Sequence, residues 1–244
     1  MSTSKVDYGI DAPTRVRNLA TGGIFCALAG FVFLSVMVPI EAPARMILSV
    51  SGFASAFFLL AVAGLMLWSS KSGKLRERER LIDTLRLEGN EKVLDVGCGR
   101  GLLLNAAARR LPNGKAFGVD LWRKADQSGN SLEATLANAR AENVADRVEV
   151  RTADMRNLPF PDGSMDAVMS SIAIHNVPDR DGRAAAIRKI ARVLKPEGRL
   201  ALQDIRNIDE YVKTLRDLGW NDLRLSGLNF MIFPPVRMVW GQKP

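Results

Sequence analysis

The chain has 244 residues, of which 47% are hydrophobic, enough to bury one good core as a single domain or as two small ones, and it shows no internal repeat or low-complexity segment. The net charge of +8 raises the question of nucleic acid, but there is no arginine-rich tail, zinc-ligand spacing or aromatic RNA-binding signature, so neither a nucleic-acid partner nor a metal site is expected. Cys26 and Cys98 lie in an apolar run and in a tight glycine-rich turn, cannot plausibly pair, and fit a reducing compartment.

In chain order, residues 1–18 form a polar leader. Residues 19–40 are 22 positions without a charge, and residues 46–70 are 25 more. An uncharged run of about 20 residues is long enough to cross a hydrocarbon core, whereas buried helices of soluble proteins rarely run past about 14. Residues 19–70 are therefore expected to form a transmembrane helical hairpin, since only residues 41–45 separate the two runs. Gly23, Ala27 and Gly30 on the first helix, and Ser51 and Ser55 on the second, are the small residues expected at the contact. Lys5, Arg15 and Arg17 precede the hairpin, and Lys71, Lys74, Arg76, Arg78 and Arg80 follow it, while the connection carries only Arg45. The positive-inside rule then puts both termini and the following domain in the cytoplasm, on a multi-pass protein of the cell membrane. The span is too long, and too closely followed by a second, for a cleaved signal peptide. The basic cluster beside the span is suited to anionic membrane lipids.

Residues 71–90 alternate Arg and Glu and read as a solvated linker helix. From Lys92 onward strand and helix patterns alternate: strands at 92–96, 116–119, 148–151, 167–174 and 199–205, helices at 102–111, 131–142, 181–194 and 209–218, and two strands around Pro234-Pro235 in the tail. This alternation predicts an α/β domain over 91–244, with a Rossmann-like, mostly parallel seven-stranded sheet covered by helices on both faces.

"VLDVGCGRG" (93–101) places Gly97, Gly99 and Gly101 between the first strand and a helix, where a backbone can approach a ligand closely. The dinucleotide fingerprint would need glycine at 102, which is Leu102, and this disfavours a nicotinamide oxidoreductase. Asp95, Asp120 and Asp154 stand at three successive strand ends along the carboxyl edge of the sheet. Carboxylates there suit ribose hydroxyls, an amine or an adenine amino group, and are poor neighbours for a pyrophosphate.

Together "VLDVGCGRG", "GVD", "TADMRNLPFPDGSMDAV" and "RVLKPEGRL" resemble the signatures of class I S-adenosylmethionine-dependent methyltransferases, over roughly residues 92–202. They are nearest in style to the ubiquinone/menaquinone-biosynthesis branch, with Glu197 in place of a glycine. The resemblance implies that Asp95 and the Gly97, Cys98, Gly99 and Gly101 turn hold the methionine part of S-adenosyl-L-methionine, whose product is S-adenosyl-L-homocysteine. It implies Asp120 for the ribose hydroxyls, Leu121, Asp154 and Met155 around the adenine, and Ser171 on the cofactor floor. That branch has no hairpin, which leaves the acceptor open. A membrane-dissolved one, a quinone-like ring or lipid headgroup, is expected as the lipophilic partner.

The chain's single histidine, His175, follows the 167–174 run, so His175 and Asn176 are expected at the carboxyl edge facing the methyl donor, where the quinone branch generally carries arginine. A neutral imidazole there can accept the acceptor's proton; the alternative is a residue that packs or caps the Pro178-Asp179 turn. "DYGIDAP" (7–13) is expected to return as a lid carrying Tyr8 and Asp11, or else to be a free tail. A membrane-tethered sensor that binds the donor without consuming it remains the alternative to an enzyme.

Overall fold

The computed structural model describes residues 6–35 and 39–244. The two apolar runs form antiparallel helices α1 (Pro13–Leu34) and α2 (Ala42–Trp68). Positions 36–38 of the first run, and Lys5 of the leader, lie outside the described residues. By length and composition both helices are able to cross a membrane, and the most apolar window of each is only 17% buried by protein. Gly23, Gly30 and Gly52 let the backbones touch: a Cβ on Gly52 would lie 2.9 Å from Cα of Gly30, and Ser49 Oγ donates to Gly30 O at 2.9 Å. The expected contacts Ser51 and Ser55 instead face outward. The face of α2 that meets α1 carries Ser49, Gly52 and Ala56, a different helical phase.

After α2, one π-helical turn (Ser69–Gly73) leads into α3 (Lys74–Thr84). This segment is not the solvated linker its charges predict. Leu81, Ile82 and Leu85 are fully buried in the domain core, and Lys74 and Glu77 are buried too. Its charges are spent on partners: Arg109 and Arg110 of the neighbouring helix both reach Glu79.

The domain follows as β1 (Lys92–Val96), α4 (Leu102–Arg109), β2 (Lys115–Asp120), α5 (Leu132–Ala141), β3 (Val148–Thr152), β4 (Met165–Ser171), α6 (Arg180–Val193), β5 (Leu194–Asp204), α7 (Ile208–Asp217), β6 (Leu223–Leu225) and β7 (Arg237–Gln242). The seven strands run in the order β3-β2-β1-β4-β5-β7-β6, with β6 and β7 antiparallel. One apolar cluster lies between the sheet and α3, α4 and α5, and a second between it and α6 and α7, so helices cover both faces. Two strand limits differ from expectation. β4 stops at Ser171, because Ile172 takes a left-handed φ of 54° and the chain then makes a 3-10 turn at Ile174–Asn176. β5 begins at Leu194, through a register shift that places Glu197 at φ 61°.

Candidate functional site

Strand order reverses between β1 and β4, and at such a switch point the two following loops diverge and leave a crevice. A pocket opens there. Its floor is the turn after β1, where Gly97 N and Cys98 N both donate to Val119 O, at 2.8 and 3.0 Å. Gly97 sits at φ 76°, and a Cβ on it would lie 2.2 Å from Cβ of Ala173, which also lines the pocket, so glycine is required by the pocket's own wall. Gly101, at φ 84°, turns the chain into α4 without itself lining the pocket.

Asp95, Gly97, Cys98 and Gly99 line the floor; Asp120, Leu121, Asp154 and Met155 line one side. Asp120 is a preorganised acceptor: Oδ2 receives Gly99 N at 2.9 Å, and Oδ1 receives Trp122 N at 2.6 Å and Asn130 Nδ2 at 3.2 Å. Asp154 is paired with Arg156 at 2.6 Å, and that hydrogen bond holds its carboxyl below the usual range. Asp95 is the opposite case. It is 1% exposed, Oδ2 has no hydrogen-bond partner among the described residues, and burial, reinforced by the charge of Asp120, pushes its pKa up to about 8. Burial first, then the same two carboxylates, raises the Cys98 thiol, which leaves it a neutral packing group. An orphaned buried carboxyl beside a second carboxylate fits a ligand that brings positive charge and hydroxyl donors, which is the chemistry of S-adenosylmethionine.

The far side of the pocket is built from Ser171, Ile172, Asn176 and Gln203. Ser171 Oγ donates to Gln203 Oε1 at 3.0 Å, and Gln203 Nε2 donates to the buried Glu77 at 2.8 Å. His175 is not where its sequence position puts it. Because β4 ends early, the imidazole turns back into the protein, 9% exposed, while Asn176 takes the lining position. Nδ1 lies 2.5 Å from Oδ1 of Asp204, the buried last residue of β5. Asp204 is itself held by His175 N, Ile205 N and the hydroxyl of Tyr211, at 3.1, 2.8 and 3.0 Å. A carboxylate so placed fixes the tautomer with hydrogen on Nδ1 and leaves the Nε2 lone pair open; Nε2 has no hydrogen-bond partner among the described residues.

The leader returns to the pocket. Asp11 lines it; Tyr8 does not, its hydroxyl being buried against Glu142 and Asn105 on the other side of the glycine turn. Gln127 ties the strap down, accepting from Arg100 N and donating to Tyr8 O and Asp11 Oδ1. From the other end of the hairpin, the Lys74 ammonium donates to Tyr8 O at 2.8 Å, Gly9 O at 3.0 Å and Asp11 at 3.1 Å, while Ser70 Oγ accepts from Asp11 N at 3.1 Å. The base of the hairpin is thus one wall of the pocket. Asp204, Gln127, Gln203 and Lys74 carry this arrangement and are not among the residues singled out from sequence. Only Asp204 was within reach, as a fourth aspartate at a strand end.

Residues 93–198 match the family model described as "Methyltransferase domain". The chain is 35% identical over 144 residues to the 27-O-demethylrifamycin SV methyltransferase of Amycolatopsis mediterranei, covering 56% of this chain and 48% of that protein. It is 27% identical over 165 residues to the demethylmenaquinone methyltransferase of Lactobacillus johnsonii, covering 67% and 60%. The chain spans about half the length of the curated relatives it matches. A SAM-dependent methyltransferase from Aquifex aeolicus superposes with a TM-score of 0.56 at 18% identity, over 75% of this chain and 98% of that one. Residues 93–198 thus match a methyltransferase-domain model, and the chain is similar to S-adenosylmethionine-dependent methyltransferases, with the fold of that class.

Proposed function

We propose that the protein is a membrane-anchored enzyme that moves the methyl group of S-adenosylmethionine to a lipophilic acceptor. The observation that carries this reading is that the hairpin does not merely tether the domain: Asp11 and Lys74, at the feet of α1 and α2, line the same pocket as Asp95 and Asp120. An acceptor dissolved in the bilayer is concentrated at that wall. The demethylmenaquinone and rifamycin relatives have names that point to bulky acceptors, which is consistent with this class.

When bound, S-adenosylmethionine supplies an activated methyl group on a sulfonium. The protein's own work is alignment and charge. Asp95 gives up its proton and holds a positive group; Asp120 accepts hydroxyls; Leu121 and Met155 cover an aromatic ring; Ser171 and Gln203 form the far side. Asn176, in the lining position, orients the acceptor, and His175, clamped by Asp204 behind it, holds the turn that presents Asn176. Tyr211 keeps Asp204 in place. Burial and the adjacent carboxylate raise the Tyr211 phenol, so it stays a donor to Asp204.

The test is to incubate the intact chain in vesicles with methyl-labelled donor and an extracted lipid fraction. Label in an identified lipid product, lost in His175→Ala, is expected. Donor binding without any consumption would make the protein a sensor instead. Tight NADH binding with none of the adenosyl donor would overturn the cofactor assignment as well.

A further inference from the structure

Outside the hairpin, the most exposed large hydrophobic side chains among the described residues are Leu228, at 61%, and Phe230, at 66%. Both belong to one loop, 226–236, between β6 and β7, whose neck is closed by paired hydrogen bonds between Asn229 and Val236. The loop is docked on the foot of α2. Phe233 N donates to Ser69 Oγ at 2.8 Å, Asn229 Nδ2 donates to Glu77 at 2.6 Å, and a Cβ on Gly73 would lie 1.7 Å from Met231 O. Gly73 is five residues beyond Trp68, about 8 Å along a helix axis. Interfacial elements bury their apolar groups about 5–10 Å into the headgroup boundary. Lys71, Arg76 and Arg224, all exposed, flank the loop as they would a layer of anionic headgroups. On its other side the loop sends Ile232, 4% exposed, into the pocket wall.

We propose that the 226–236 loop is a lipid-inserting finger: Leu228 and Phe230 enter the bilayer beside α2, and the acceptor passes along the loop to Ile232 and the pocket. The inference rests on the membrane-anchored reading above. Its occupant is the bilayer, because the loop's apolar tip is fixed to the residues that immediately follow a span, among cations, and opens inward on the site that needs an apolar acceptor.

The intact chain, with Cys26 and Cys98 replaced by alanine, is reconstituted in phosphatidylcholine–phosphatidylglycerol vesicles that contain chain-labelled doxyl lipid. A fluorophore is attached in turn at Phe57→Cys, Phe230→Cys and Asp162→Cys. Position 57 lies mid-hairpin, 77% exposed, and position 162 lies in the turn before β4, at the opposite edge of the sheet from the pocket. Quenching of several-fold is expected at 57 and 230, with none at 162, and Leu228→Cys should repeat the result at 230. Quenching at 57 but neither at 230 nor at 228 overturns the finger and leaves the anchor standing. No quenching at 57 overturns the anchor itself. A probe at 230 that lipid does not quench and that iodide does not reach either means that protein, a second copy or another partner, covers the loop, and the finger is wrong.

Discussion

Helices α2 and α7 are built on opposite patterns. In α7, Ile208, Tyr211, Val212 and Leu215 are buried against the sheet and the charged residues face out. In α2 the large side chains Phe57 and Phe58 face out, and the buried positions are Ser49, Ala56, Ala63 and Met66. A water-facing domain gains by hiding apolar area; the pattern of α2 is the one that would suit lipid, where that gain vanishes and close backbone contact through small residues takes its place. The pocket lies where the two regimes meet, between the acidic turn after β1 and the feet of the hairpin.

The largest expected effects lie on the domain side of that boundary. Gly97→Val puts a side chain at φ 76° and against Ala173, so donor binding should be lost in calorimetry and the domain destabilised, through the pocket's own wall. His175→Ala should lower turnover by up to roughly 100-fold, with donor affinity nearly unchanged, because the turn that presents Asn176 loses its clamp. Asp204→Asn should lower it by a similar order, again with donor affinity nearly unchanged, since Nδ1 loses the carboxylate that holds the imidazole in place.

The contrast between regions is sharpened by a pair of truncations. Leu81→Ala, fully buried on α3, should destabilise the domain by about 2–5 kcal/mol in denaturant titration. Phe57→Ala, facing outward mid-hairpin, should leave that transition unchanged; an equal loss would mean that the hairpin belongs to the domain core.

The pH dependence has a definite sign. The Asp95 carboxyl, at about 8 when folded against 3.8 ordinarily, keeps a proton that the unfolded chain has released. Its contribution to stability is therefore present at low pH and is lost as pH rises from about 4 to 8. A positively charged ligand prefers the carboxylate, so donor affinity should rise over the same window, with protons released on binding, and Asp95→Asn should abolish both effects. The smallest effect belongs to Glu197→Gly. That exposed residue holds a left-handed φ of 61°, and glycine should stabilise the protein by about 1 kcal/mol in thermal unfolding.

Strand ends, the glycine turn and the apolar runs were legible because each rests on local pattern: period, spacing and the absence of charge. The sheet and the placement of Asp95, Asp120, Asp154 and Ser171 around one crevice follow from those. What could not be read was long-range. Lys74 and Glu77 sit in a run of alternating charge that looks solvated until α3 is seen packed on the sheet, and their hydrogen-bond partners are 63 to 152 residues away. The end of β4 was misplaced by three residues because Ile174, though apolar, is buried in a 3-10 turn instead of a strand. That shift alone turns His175 from a group at the mouth of the crevice into one clamped by Asp204. The small residues of α2 were assigned to the wrong phase because Ser51 and Ser55 match the composition of a helix contact as well as Ser49 and Gly52 do.

The central claim is that one pocket serves a donor bound by the domain and an acceptor delivered by the bilayer. Its most direct measurement compares the intact chain with a form lacking residues 1–70, both with labelled donor, against an acceptor dissolved in vesicles and a water-soluble analogue carrying the same nucleophile. The account predicts that the intact chain labels the bilayer acceptor and that the shortened one loses that transfer by at least an order of magnitude, while donor binding, read separately by calorimetry, shows whether its pocket is still formed. Equal transfer to both acceptors by both forms would contradict it.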